Sequence, residues 1–114
     1  MASGYKVVRL LENGTYWSMS INNSGCTPVE YRIGEKTIRP SGCGPLCVFE
    51  DLQTLKEEIK DFGYYPHLRI FTCEYQPSND FSVWNNRSPY RALSKWILPF
   101  GTTFADTVTL LKEI

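Results

Sequence analysis

Aromatic rings, arginines and one aspartate are the residues in this chain whose types suit contact with a ligand. Tyr16 and Trp17 follow a first hairpin signal. Phe81, Trp84 and Tyr90 are spread through a polar segment with Arg87 and Arg91 among them and Asn85 and Asn86 adjacent. Phe104-Ala105-Asp106 lies near the C-terminus. Aromatic faces stack on bases, at about 1–3 kcal/mol per base in single-stranded binders. Arginine forks grip phosphate in a bidentate way. An aspartate accepts from ribose hydroxyls, as in dinucleotide sites. The candidate ligand-binding set is therefore Tyr16, Trp17, Phe81, Trp84, Asn86, Arg87, Arg91, Phe104, Ala105 and Asp106. Tyr, Trp and Arg are also enriched in cores and oligomer interfaces. Both readings hold at once if the pocket lies between subunits.

Catalytic patterns are sparse. A general acid–base pair or a triad needs a base and a partner. His67 is the only histidine, and it follows Tyr64-Tyr65-Pro66 at the mouth of a strand. There is no nucleophile elbow, no phosphate-cradling G-x-x-x-x-G-K-[ST] loop and no carboxylate cluster at metal spacing. Gly42-Cys43-Gly44 precedes a strand instead of following one, so it reads as a turn. The cysteines Cys26, Cys43, Cys47 and Cys73 form no pair of metal-ligand pairs. Cys47 and Cys73 fall inside strand-like runs, where a cysteine behaves as a small hydrophobe. Free thiols, no metal and no cofactor are the expectation.

The elements that must position these residues are mostly strands. At 114 residues the chain reads as a single domain, 1–114. Pro40 to Gly63 is its organising stretch. A Gly/Pro turn leads into the apolar run Leu46-Cys47-Val48-Phe49, which fits a buried strand. The spacing of Leu52, Leu55, Ile59 and Phe62 then predicts an amphipathic helix over about 51–62, capped by Asp51 or Glu50 and ended by Gly63. Strands are expected at 5–11, 15–21, 29–33, 36–39, 68–75 and from Thr102 onward. Asn13-Gly14 is a hairpin signal. The second strand places Trp17, Met19 and Ile21 on one face and Tyr16, Ser18 and Ser20 on the other. Ala105 to Ile114 is also compatible with a short closing helix. The segment 76–95 is polar and turn-rich, a composition typical of functional loops. The sum is an α+β domain with a mostly antiparallel sheet of seven to nine strands and one helix packed on it.

Twelve basic residues balance twelve acidic ones. That gives no electrostatic footprint for a nucleic-acid polymer, although a local basic pocket for a small anion remains compatible with it. No apolar run approaches membrane-spanning length. The N-terminus lacks the apolar core of a signal peptide. A cytoplasmic protein without a membrane partner is expected.

The order of elements resembles the phage anti-Thoeris sponge proteins: a hairpin, two further strands, a strand leading into one helix, two long strands and a closing strand. The matching positions are an aromatic early in the second strand (Tyr16 or Trp17), an aromatic and an asparagine in the loop segment (Phe81 and Asn86) and the closing Ala105-Asp106 pair. Sponges of this kind bind a cyclic ADP-ribose isomer, made by infected bacteria as an immune signal, without cleaving it. Some also hold cyclic oligonucleotides, and they assemble as dimers or higher oligomers. In that family an arginine precedes the Ala-Asp pair and helps hold the pyrophosphate. Here Phe104 stands at that position, so the resemblance leaves phosphate contact to Arg87 or Arg91. It implies a non-enzymatic, homo-oligomeric anti-defence protein whose partner is a small nucleotide-derived signalling molecule. Two other readings stand beside it. One is a protein-binding inhibitor or adaptor using the aromatic segment 81–96. The other is a small nucleotide-processing enzyme using His67 or Glu74.

Overall fold

In the computed structural model, which describes residues 1–18, 29–39, 45–61, 67–79, 82–83, 93–94 and 101–114, Asn13-Gly14 makes the expected reversal. Gly14 sits at φ 84°, a conformation that side chains with a Cβ rarely adopt. The Leu11 amide donates to the Thr15 carbonyl at 2.9 Å. The turn joins β1 (Ala2–Leu10) to β2 (Tyr16–Ser18), with Leu10 opposite Tyr16. Tyr16 points inward, its ring edge-on to Phe71 at 5.1 Å between centroids. Met19 and Ile21 lie outside the described residues.

β3 (Glu30–Tyr31) pairs with β2. The strand expected over 29–33 ends at Tyr31 because a turn follows, closed by the Glu35 amide on the Arg32 carbonyl at 3.0 Å, with Gly34 at φ 79°. Ile33 is thereby left half exposed. β4 (Lys36–Ile38) does not pair with β3. It joins the closing strand at the far side of the sheet.

β5 (Leu46–Phe49) leads into α1 (Leu52–Asp61). Of the two candidate caps, Asp51 does the work: its carboxylate accepts from the Thr54 amide and hydroxyl, each at 2.8 Å. Those two bonds hold its pKa below the usual aspartate value. Glu50 instead accepts from the Tyr75 hydroxyl at 3.4 Å. Leu55 is fully buried, and Ile59 packs beside it on Val7 and Phe49. Phe62 and Gly63 lie outside the described residues. α1 is the single helix among the described residues, and no described helix is long and apolar enough to cross a membrane.

β6 (Leu68–Pro77), β7 (Ser82–Val83), β8 (Leu93–Ser94) and β9 (Thr102–Glu113) complete the order. The segment expected to be a loop carries a short β7–β8 ladder. The alternative of a helix from Ala105 does not form. β9 is extended throughout, because its amides and carbonyls are taken by β6 on one edge and by β5 and β4 on the other.

Pairing among β1, β6, β9 and β5 closes on itself, so these four antiparallel strands form a small barrel. β2–β3 extend from β1, and β4 extends from β9. Val8, Leu46, Val48, Phe71, Cys73, Tyr75, Val108 and Leu110 form the main buried cluster, joined by Tyr31 and Ala105. α1 covers the opposite face of the sheet, over Val7 and Phe49. Closure depends on Gly4. β1 meets β5 at one register position, Tyr5 opposite Phe49. A Cβ on Gly4 would sit 2.6 Å from the Phe49 carbonyl oxygen and 3.0 Å from the Tyr75 ring. Gly4→Ala is therefore expected to destabilise the fold by about 1–3 kcal/mol, read as a lower urea midpoint. An unchanged midpoint would mean that β1 and β5 need not approach this closely.

Candidate functional site

Pro77 has no amide hydrogen to give to a ladder. At that point the β6–β9 register shifts. Gln76 is opposite Thr107 but Pro77 is opposite Ala105, so Asp106 is the extra residue of a β-bulge. Bulges re-aim side chains. Phe104 and Ala105, on opposite sides of β9, are both buried. The Phe104 carbonyl accepts from the Ser78 amide at 3.0 Å. Asp106 emerges part-exposed. Its carbonyl accepts from the Arg39 amide at 3.0 Å, and its carboxylate pairs with the Arg39 guanidinium at 3.5 Å. A guanidinium and a carboxylate thus stand side by side at the sheet surface, both reachable from solvent. Such a pair can present donors to a phosphate and acceptors to a diol.

The other predicted residues are placed differently. Tyr16 belongs to the margin of the core. The Trp17 indole N–H donates to the Thr15 hydroxyl at 2.9 Å, and that hydroxyl donates to Asn13 at 2.6 Å. The indole's polar end is therefore committed to the hairpin turn. Tyr16 packs on Phe71, whereas Ala105 is opposite Pro77. Those two β6 positions are about 20 Å apart along an extended strand. A single copy of the chain therefore does not bring Tyr16 and Trp17 together with Asp106. Phe81, Trp84, Asn86, Arg87 and Arg91 lie outside the described residues, as do Cys26 and Cys43. His67 stands in the turn just before β6 and is exposed, and its carbonyl accepts from the Leu10 amide. Glu74 is exposed farther along the same strand. Sequence reasoning missed Arg39. It stands before Pro40 at the end of a strand-like run, and only the β4–β9 pairing carries it to Asp106.

A second cluster lies inside the barrel. Lys6 shares the inward face of β1 with Val8 and is only 6% exposed. Its ammonium donates to the Cys47 carbonyl and lies 5.1 Å from the centre of the Tyr31 ring. No carboxylate among the described residues pairs with it. The Tyr31 hydroxyl is buried and meets no hydrogen-bond partner among the described residues. Burial pushes the Tyr31 pKa up, against the opposing pull of the nearby Lys6 charge. Burial also pushes the Cys73 thiol up to about 11, against the opposing pull of Lys6 and of the Gly4 amide.

Compared with protein-family models, curated proteins and solved structures, the chain matches none.

The folded Cys73 thiol keeps its proton up to about pH 11, whereas an unfolded one releases it near 9.0. Its contribution to stability is complete below that lower value and is lost as pH rises through the upper one, on the order of 2 kcal/mol. Urea titrations from about pH 8 to about pH 11 should show stability falling with pH, with a shallower fall in Cys73→Val. Identical slopes for the two proteins would contradict the buried-thiol assignment.

Proposed function

We propose that this protein is a non-enzymatic binder that sequesters a small nucleotide-derived signalling molecule of the cyclic ADP-ribose type, in the manner of the phage anti-Thoeris sponges. The observation that carries this reading is the Arg39–Asp106 pair on the β9 bulge. The resemblance asks for an arginine beside the Ala-Asp pair, and the chain has Phe104 at that sequence position. Arg39 brings a guanidinium to the same place from β4. On this reading Asp106 accepts from ribose hydroxyls and Arg39 faces the pyrophosphate. Ala105, small and buried, lets the bulge seat against the core. Phe81 and Trp84 would hold the adenine, with Asn86, Arg87 and Arg91 completing the polar contacts.

Sequestration requires slow release, and slow release requires an enclosed ligand. The Asp106 side chain is 44% exposed, so enclosure must come from other parts of the site. A second copy of the chain is one source. It would also reunite Tyr16 and Trp17, about 20 Å away along β6 in one subunit, with an Asp106 from the other.

Calorimetric titration with a cyclic ADP-ribose isomer tests the assignment. Asp106→Ala and Arg39→Ala should each weaken binding roughly 10- to 100-fold, the range for losing hydrogen bonds to a charged group. A part-exposed ion pair contributes at most about 1 kcal/mol to stability, so both variants should still fold. Variants that bind like the parent would remove these residues from the site. Conversion of the ligand during the titration would replace the sponge reading with an enzymatic one.

A further inference from the structure

β4 is the last strand on its side of the sheet, and no strand among the described residues pairs with its outer edge. The Arg39 amide donates inward, to the Asp106 carbonyl of β9. Hydrogen-bonding direction alternates along an antiparallel strand, so Thr37 also turns to β9. Lys36 and Ile38 then direct their amides and carbonyls away from the sheet. An edge of this kind is a template for another strand. Its apolar residue, Ile38, is 64% exposed. Ile33 and Leu111 are exposed as well. They lie at the other end of the same edge, where the Gly34 amide donates to the Leu110 carbonyl at 2.8 Å.

Residues 35–39 read Glu-Lys-Thr-Ile-Arg, a run that complements itself when reversed. With a twofold axis through Thr37, Glu35 stands opposite the second copy's Arg39, and Arg39 opposite the second copy's Glu35. Lys36 stands opposite Ile38, which accommodates the lysine stem, and the two lysines are kept apart. The outward amides and carbonyls of Lys36 and Ile38 pair reciprocally with those of the second copy. Glu35 is exposed and has no ion pair among the described residues. A guanidinium carries several N–H donors, so Arg39 can serve the second copy's Glu35 without leaving Asp106.

We propose that β4 is a homodimer interface, on which a second copy of this chain adds its own β4 antiparallel and centred on Thr37. The occupant is a second copy because one run supplies both members of every opposed pair. Opposite charges across strands stabilise a ladder, and like charges directly opposite destabilise it. A ladder this short makes a reversible dimer and not an obligate one. The two Arg39–Asp106 pairs then flank one interface, with the two Arg39 residues roughly 14 Å apart. The value of that placement for enclosing a ligand rests on the sponge reading, whereas the interface itself does not.

Sedimentation velocity of the ligand-free protein over a dilution series is the test. The parent should pass from monomer to dimer as its concentration rises. Glu35→Arg and Arg39→Glu each set like charges opposite one another, and each should weaken self-association roughly tenfold or more. An equimolar mixture of these two variants should dimerise like the parent, since every arginine then meets a glutamate. Ile38→Lys, which faces the second copy's Lys36, should also weaken the dimer. If Arg39→Glu does not fold, Glu35→Arg and Ile38→Lys against the parent still decide. A parent that stays monomeric at millimolar concentration, a dimer that the variants retain, or a mixture no more dimeric than its components would overturn the proposal. No ligand enters these measurements, so a monomeric parent leaves the Arg39–Asp106 assignment standing, and a failed ligand titration leaves the interface standing.

Discussion

The β6 ladder is the constraint on which the rest of the molecule depends. β6 is paired on both edges, to β1 from Ala2 to Arg9 and to β9 from Ala105 to Glu113. Those two ladders bring the two ends of the described chain onto one strand and set their registers. Once β1 and β9 flank β6, β5 bridges their other edges and the sheet curls into a barrel. The register shifts at Thr72/Cys73 and Gln76/Pro77 sharpen the bend that closure needs. Closure in turn creates both features with chemical content. One is the interior that takes in Lys6, and the other is the bulge that turns Asp106 outward beside Arg39.

The two features represent different physical situations. Arg39 and Asp106 are part-exposed, so water screens their attraction and their pairing adds little to stability. Such a pair can exchange its partner for a ligand at small cost. Lys6 is the opposite case. It lies within an apolar barrel, where an ammonium makes strong demands on its surroundings. The Cys47 carbonyl and the Tyr31 ring answer part of that demand. They also tie β5 and β3 to β1 in places where backbone pairing alone is short.

Local signals were legible in the sequence, and non-local ones were not. Asn13-Gly14, the Leu46–Phe49 run and the Asp51 cap each depend on neighbours within a few residues, and each forms as read. The helix begins within a residue of its expected start. Strands shortened where turn chemistry intruded, as at Arg32–Glu35, and lengthened where long-range pairing was available, as in β6 and β9. Barrel closure had no sequence signal, because it rests on β5 meeting β1 and β9 at once. Lys6 gave none either, since a lysine in a β-rich run reads as solvent-facing. The Arg39–Asp106 pair joins strands far apart in the chain. Of the predicted site, Asp106 stands where a ligand can reach it, while Tyr16, Phe104 and Ala105 are placed by packing. Aromatic content alone does not distinguish a stacking face from a core position.

Sequestration is the central functional claim, and it concerns an intact bound molecule. The most direct measurement is native mass spectrometry of the protein purified from cells that produce cyclic ADP-ribose-type signals. An adduct with the mass of a cyclic ADP-ribose isomer is expected, recovered unchanged when the protein is heat-denatured. A protein that emerges from such cells free of any small molecule, or one that releases a cleaved product, would contradict it.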